Sequence, residues 1–123
     1  MNTIKQNIIR DLTADKELLI SPDPFSNHYK RQNFELFIEG SYGQGAEFGE
    51  RNRRFILGAT NKQIASFIIR QFTEFVAVDY SCSYGYAQKC IVEAMGEDLE
   101  ALNAALFNDV IDFATASGTY NRS

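Results

Sequence analysis

The sequence predicts an α+β fold, and three patterns predict it. An apolar residue recurs every four positions at the start of the chain, a period-two alternation lies near residue 36, and apolar residues step by three and four through the second half. The expected architecture is an N-terminal helix, a small antiparallel sheet and a mostly helical C-terminal half. The chain has 123 residues, and a typical single domain has roughly 100–150. One domain over residues 1–123 is therefore expected.

Ile4, Ile8 and Leu12, with Lys5, Gln6, Arg10 and Asp11 between them, make the first dozen residues an amphipathic helix. Ser21-Pro22-Asp23-Pro24 holds both prolines, and residues before proline are pushed out of the α region, so an element boundary falls there. Phe34, Leu36 and Ile38 alternate with Glu35, Phe37 and Glu39 as in a half-covered strand. Gly40, Gly43, Gly45 and Gly49 then supply the conformations of a hairpin or irregular loop, with a short strand possible around Phe48. Arg54 to Leu57 is the next extended candidate and completes the sheet.

Thr60-Asn61-Lys62-Gln63 has the form of a capping box, which starts a helix. Ile64, Phe67, Ile68, Gln71, Phe72 and Phe75 continue it as one broad apolar stripe. From Val76 to Tyr86 the pattern is mixed: Val76, Val78 and Tyr80 alternate like a strand, while Gly85 and the serines interrupt. Tyr86 to Met95 reads as a helix ended by Gly96. Leu99, Leu102, Leu106, Val110 and Phe113 define the last helix, capped by Gly118.

Hydrophobic residues are 45% of the chain and charged residues 23%, which excludes the disordered class and provides a core that needs no metal or disulfide. The balance of 12 basic against 16 acidic groups, net −4, argues against general nucleic-acid binding. Met1-Asn2-Thr3-Ile4-Lys5 leads into no signal peptide, and no apolar run approaches the roughly 20 residues of a bilayer span. Cys82 and Cys90 match neither a redox motif nor a zinc knuckle, so a reducing cytoplasm is the expected setting. Asn121-Arg122-Ser123 matches a glycosylation pattern by chance.

Charge is divided unevenly. Residues 1–73 hold ten basic and eight acidic groups (+2), whereas residues 74–123 hold eight acidic groups against Lys89 and Arg122 (−6). Glu93, Glu97, Asp98, Glu100, Asp109 and Asp112 gather on the last two helices, a surface that would steer a basic partner. The plainer explanation is that carboxylates in a first helical turn meet the helix dipole and the others are solvated. Tyr84 and Tyr86, with Tyr80, have the composition of a recognition loop, although half-buried core tyrosines would look the same. Arg51, Arg53 and Arg54 form a basic cluster able to meet phosphate or carboxylate, or else to stand solvated.

No catalytic constellation emerges. His28 is the only histidine, which excludes a two-histidine zinc site, and its polar loop reads as exposed. Gly40-Ser41-Tyr42-Gly43-Gln44-Gly45 lacks the lysine and hydroxyl of a phosphate-binding loop and reads as a turn. Glu35/Glu39 and Glu47/Glu50 are carboxylate pairs of commonplace spacing. No catalytic residue, metal or cofactor is expected.

In size, acidity and absence of catalytic motifs the chain is similar to small bacterial immunity proteins, the antidotes to toxins exchanged between competing cells, including those of contact-dependent inhibition. The resemblance implies a cytoplasmic inhibitor, not an enzyme, that covers the cleft of a basic toxin or nuclease domain, with no direct contact to nucleic acid or membrane. Its interface would comprise Glu93, Glu97, Asp98, Glu100, Asp109, Asp112, Tyr84 and Tyr86. Two rivals remain: a phage- or plasmid-encoded anti-defence inhibitor, for which net −4 is a sparse charge, and a small nucleotide-binding protein using Arg51, Arg53 or Arg54 with the glycine-rich loop.

Overall fold

The computed structural model describes residues 3–39, 45–118 and 120, with side chains described for all of these except residues 38, 39 and 45–49. The chain forms α1 (Ile4–Ala14), α2 (Lys16–Ile20), α3 (His28–Glu39), α4 (Gly45–Gly58), α5 (Asn61–Asp79), α6 (Tyr84–Met95), a 3₁₀ turn (Gly96–Asp98) and α7 (Leu99–Ala116). There is no strand among the described residues, so the expected α+β fold with a small sheet is corrected to an all-helical one.

The reason is visible in α3. Its inward stripe is Tyr29, Lys30, Asn33, Leu36 and Phe37, all buried, and these positions follow helical spacing. Two of the five are polar, so the helical period was hidden, and the chance alternation of Phe34, Leu36 and Ile38 stood out instead. The second strand fails likewise: Arg54 to Leu57 lies in α4, whose buried positions among the described side chains are Asn52 and Ile56. Asn52 Nδ2 donates to Leu36 O at 2.8 Å, and Asn33 Nδ2 donates to Ile68 O at 3.0 Å. Each interior amide thus donates to a neighbouring helix, while Asn33 Oδ1 accepts no hydrogen bond among the described residues. Gly45 and Gly49 lie within α4, as does Phe48, while 40–44, the rest of the expected hairpin, lie outside the described residues.

The remaining helices follow their sequence signals. Thr60 caps α5 by the expected box, Gln63 N donating to Thr60 Oγ1 (3.1 Å) and Thr60 N to Gln63 Oε1 (2.9 Å), and Thr3 with Gln6 repeats the device on α1. Ile64, Ile68, Phe72 and Val76 carry the α5 stripe through the strand-like segment, Val78 projecting into solvent at 77% exposure. α6 begins two residues before the expected start because Ser83 accepts from Tyr86 N and caps it. Gly96 (φ +54°) ends it and Gly118 (φ +77°) follows α7, both in the left-handed region that favours glycine.

α5 is the hub: α3, α6 and α7 all pack on it, α1 packs on α6, α2 on α7, and α4 on α3. One core runs through these contacts, built from Ile8 and Leu12 of α1, Leu19 of α2, the α5 stripe, Cys90, Ile91 and Met95 of α6, and Leu102, Leu106 and Ile111 of α7. No helix among the described residues is long and apolar enough to cross a membrane.

Candidate functional site

α5, α6 and α7 meet along a shallow cleft of about 200 Å³. Ile69 and Thr73 of α5, Ile91 of α6 and Leu99 of α7 form its apolar part, while Tyr84, Gln88, Val92 and Asn103 line its edges. The spacing Tyr84, Gln88, Ile91, Val92 is one face of a helix, so α6 presents an aromatic ring, an amide and two branched aliphatic groups along one line. Tyr84 is 38% and Val92 50% exposed, which leaves apolar area available to a partner. A second, flatter depression lined by Gln88, Lys89, Val92 and Glu93 continues it around α6.

Of the eight residues expected at an interface, Tyr84 and Glu93 line this region, Asp109 is interior, and the other five lie elsewhere on the surface. Tyr84 lines the cleft, and Tyr86, two residues on, is also exposed. Glu93 follows Val92 and is joined to Lys5 at 3.0 Å. Asp98 is 3.4 Å from Lys16. Glu97 and Glu100 flank Leu99 in the turn that opens α7, are exposed, and form no ion pair among the described residues. Asp112 is exposed farther along α7.

Asp109 does not belong to the acidic face. It is 8% exposed, and its Oδ2 lies 3.2 Å from Nζ of the buried Lys30. The ammonium aims its directed hydrogen bond at Ser21 O, and Asp109 Oδ2 accepts none among the described residues. Burial consequently holds the Asp109 carboxyl above the usual carboxylate range, against the pull of Lys30.

A second polar cluster, which the sequence did not indicate, lies where the start of α3 and the end of α5 approach α1. Tyr29 OH donates to Asp79 Oδ2 at 2.8 Å, His28 Nε2 lies 3.8 Å from the same oxygen, and Tyr80 OH donates to Asp11. Burial and then the carboxylate acceptor push both phenols up, Tyr80 to about 12. The Tyr80 hydroxyl in turn holds Asp11 below its ordinary value. Phenols locked as donors clamp helices together and supply no base. Its partners are 50 and 69 positions apart, so no local pattern could have announced it.

The other candidates disperse. Arg51 and Arg54, three apart, share one side of α4, while Arg53 leaves on nearly the opposite side from Arg51. Arg54 pairs with Glu50 at 3.0 Å, and Arg53 lies beside Phe37 and Phe113. Glu50 is thus engaged on the surface, and the side chains of Glu39 and Glu47 lie outside the described residues, as does most of the glycine-rich segment. Burial raises the Cys90 thiol above its ordinary value, which opposes thiolate formation. No group of three or more metal-binding side chains occurs among the described residues. No protein-family model, no curated protein and no solved structure matches the chain.

Proposed function

We propose that the protein is an inhibitory binding module of the immunity type, acting in the cytoplasm on a basic toxin or nuclease domain. The observation that carries the reading is the α5–α6–α7 cleft: exposed Tyr84 and Val92 beside an apolar floor, with Glu93, Glu97 and Glu100 along the same stretch of α6 and α7. Such a surface pairs an aromatic anchor with acidic groups. A cleft shaped for phosphates accepts carboxylates in their place, and the anchor supplies the desolvated contact that fixes register. The chain's excess of acid over base in residues 74–123 adds steering toward such a cleft.

The test is reconstitution. The tagged protein is purified from its native cells, and what co-purifies is expressed and titrated against it. A one-to-one complex with a basic protein whose toxic or nuclease activity disappears on mixing supports the reading. Tyr84→Ala should then weaken the complex by about 2 kcal/mol or more, as an interface anchor does. Glu97→Lys with Glu100→Lys should slow association most at low salt. A complex indifferent to all three substitutions sinks the assignment of this cleft, and a partner that keeps its activity in the complex sinks the inhibitory function.

A further inference from the structure

A second groove lies toward the start of α5, against α4, and its chemistry is the opposite of the acidic cleft. It is an open trough of about 400 Å³ lined by Phe55, Lys62, Gln63, Ser66 and Arg70, a volume within the range of small-ligand sites. Lys62, Ser66 and Arg70 follow one another at i, i+4, i+8 and therefore form one line of α5, about 12 Å from end to end. Among the described residues neither Lys62 nor Arg70 is in an ion pair. The Arg70 guanidinium instead lies 5.6 Å over the Phe67 ring, and Phe67 is packed at 5.2 Å on Phe55. Two uncompensated cations thus bracket a hydroxyl and an amide, opposite a half-buried aromatic ring that opens onto the groove.

We infer that this groove binds a phosphate-bearing ligand of the nucleotide class, its planar base against Phe55 and its phosphates along the Lys62–Ser66–Arg70 line. Three features select that chemistry. Two cations two helical turns apart on one line of α5, with Arg70 drawn back over Phe67, are engaged together by a multiply charged anion. Gln63 Oε1 is occupied by Thr60 N at 2.9 Å, so its amide nitrogen is left to donate, and with the Ser66 hydroxyl it suits oxygen acceptors. A ring face beside cations favours a flat partner. Lys62 also stands in the first turn of α5, where the helix dipole adds to the field, and Arg51, exposed one turn before Phe55, adds a further positive charge. The site shares only Arg51 with the Arg51/Arg53/Arg54 and glycine-loop arrangement expected from sequence, and it is independent of the inhibitory reading of the acidic cleft.

The experiment is calorimetric titration of the full chain with ADP, inorganic phosphate and a short single-stranded oligonucleotide, alongside the variants Lys62→Glu/Arg70→Glu, Phe55→Leu and, as a control charge reversal away from the groove, Lys89→Glu. ADP should bind and raise the melting temperature with concentration. The double variant should lose about tenfold or more in affinity, a change of one power of ten per 1.4 kcal/mol, while Lys89→Glu binds as the parent. Phe55→Leu should weaken ADP more than phosphate. Absence of ADP binding at millimolar concentration, or binding unchanged in the double variant with its melting curve intact, overturns the proposal. An oligonucleotide that binds more tightly than ADP and with the same dependence on Lys62 and Arg70 overturns the free nucleotide as ligand and assigns the phosphates to a strand.

Discussion

Lys30 and Asp109 face one another across the contact of α3 with α7, ammonium nitrogen to carboxylate oxygen 3.2 Å, with 0% and 6% of their side chains exposed. Two charges withdrawn from water in this way contribute little net stability as a pair, but either alone is costly. Asp109→Ala should therefore lose about 3–5 kcal/mol in urea denaturation. The double replacement Lys30→Met/Asp109→Leu should recover most of it. A double variant as unstable as the single would mean that the loss comes from packing and not from the stranded ammonium.

Ser81 ends α5 in the left-handed region at φ +52°, with Cys82 N bonded to Ala77 O at 2.9 Å and Ser81 N to Val78 O at 3.2 Å. This is the hydrogen-bond pattern of a helix stop in which glycine is the usual occupant. A residue with a Cβ pays about 1–2 kcal/mol there. After the greater chain entropy of glycine is subtracted, Ser81→Gly should stabilise the protein by about 0.5–1 kcal/mol. A lower thermal midpoint in the glycine variant would contradict this.

Asp11 gives the acid response a defined sign. Its carboxyl is held below its ordinary value first by the Tyr80 hydroxyl and then by Arg10, so the folded state prefers it ionised. That preference stabilises the protein above about pH 4 and is lost as pH falls toward the depressed folded value. Removing the hydroxyl in Tyr80→Phe lets the carboxyl return upward. The stability gap between parent and variant should accordingly narrow between pH 6 and pH 3, and an equal gap at both would dissociate Asp11 from Tyr80.

Leu102 and Leu106 are 0% and 2% exposed in α7. Truncating either to Ala should cost about 2–5 kcal/mol. Leu57, at 66% exposure in α4, should tolerate the same change within about 0.5 kcal/mol. In an extended Arg54–Leu57 segment Leu57 would share a face with Phe55, so tolerance at Leu57 favours the helical reading of that segment.

Local rules made much of the chain legible. Caps are short-range chemistry, and Thr60 with Gln63, Gly96 and Gly118 marked their helix ends correctly. The stripes Ile8–Leu12, Ile64–Phe75 and Leu99–Val110 are periodic because one side of each helix meets the core, whereas Ile4 and Phe113, expected at their ends, are exposed. The acidic candidates were placed on the last helical segments, yet nothing local distinguished Asp109, which points inward to Lys30, from Glu97 and Glu100, which remain exposed.

The amino-acid order by itself determined where α1, the start of α5, the end of α6 and α7 form, since propensity, caps and apolar period act within a few residues. Only the tertiary structure decided that residues 34–38 and 54–57 are helical. Their inward faces carry Lys30, Asn33 and Asn52, polar groups whose burial depends on partners on other elements: Ser21 O, Asp109, Ile68 O and Leu36 O. A polar side chain reads as solvent-facing until a distant acceptor satisfies it, and the distance to that acceptor is a property of the fold.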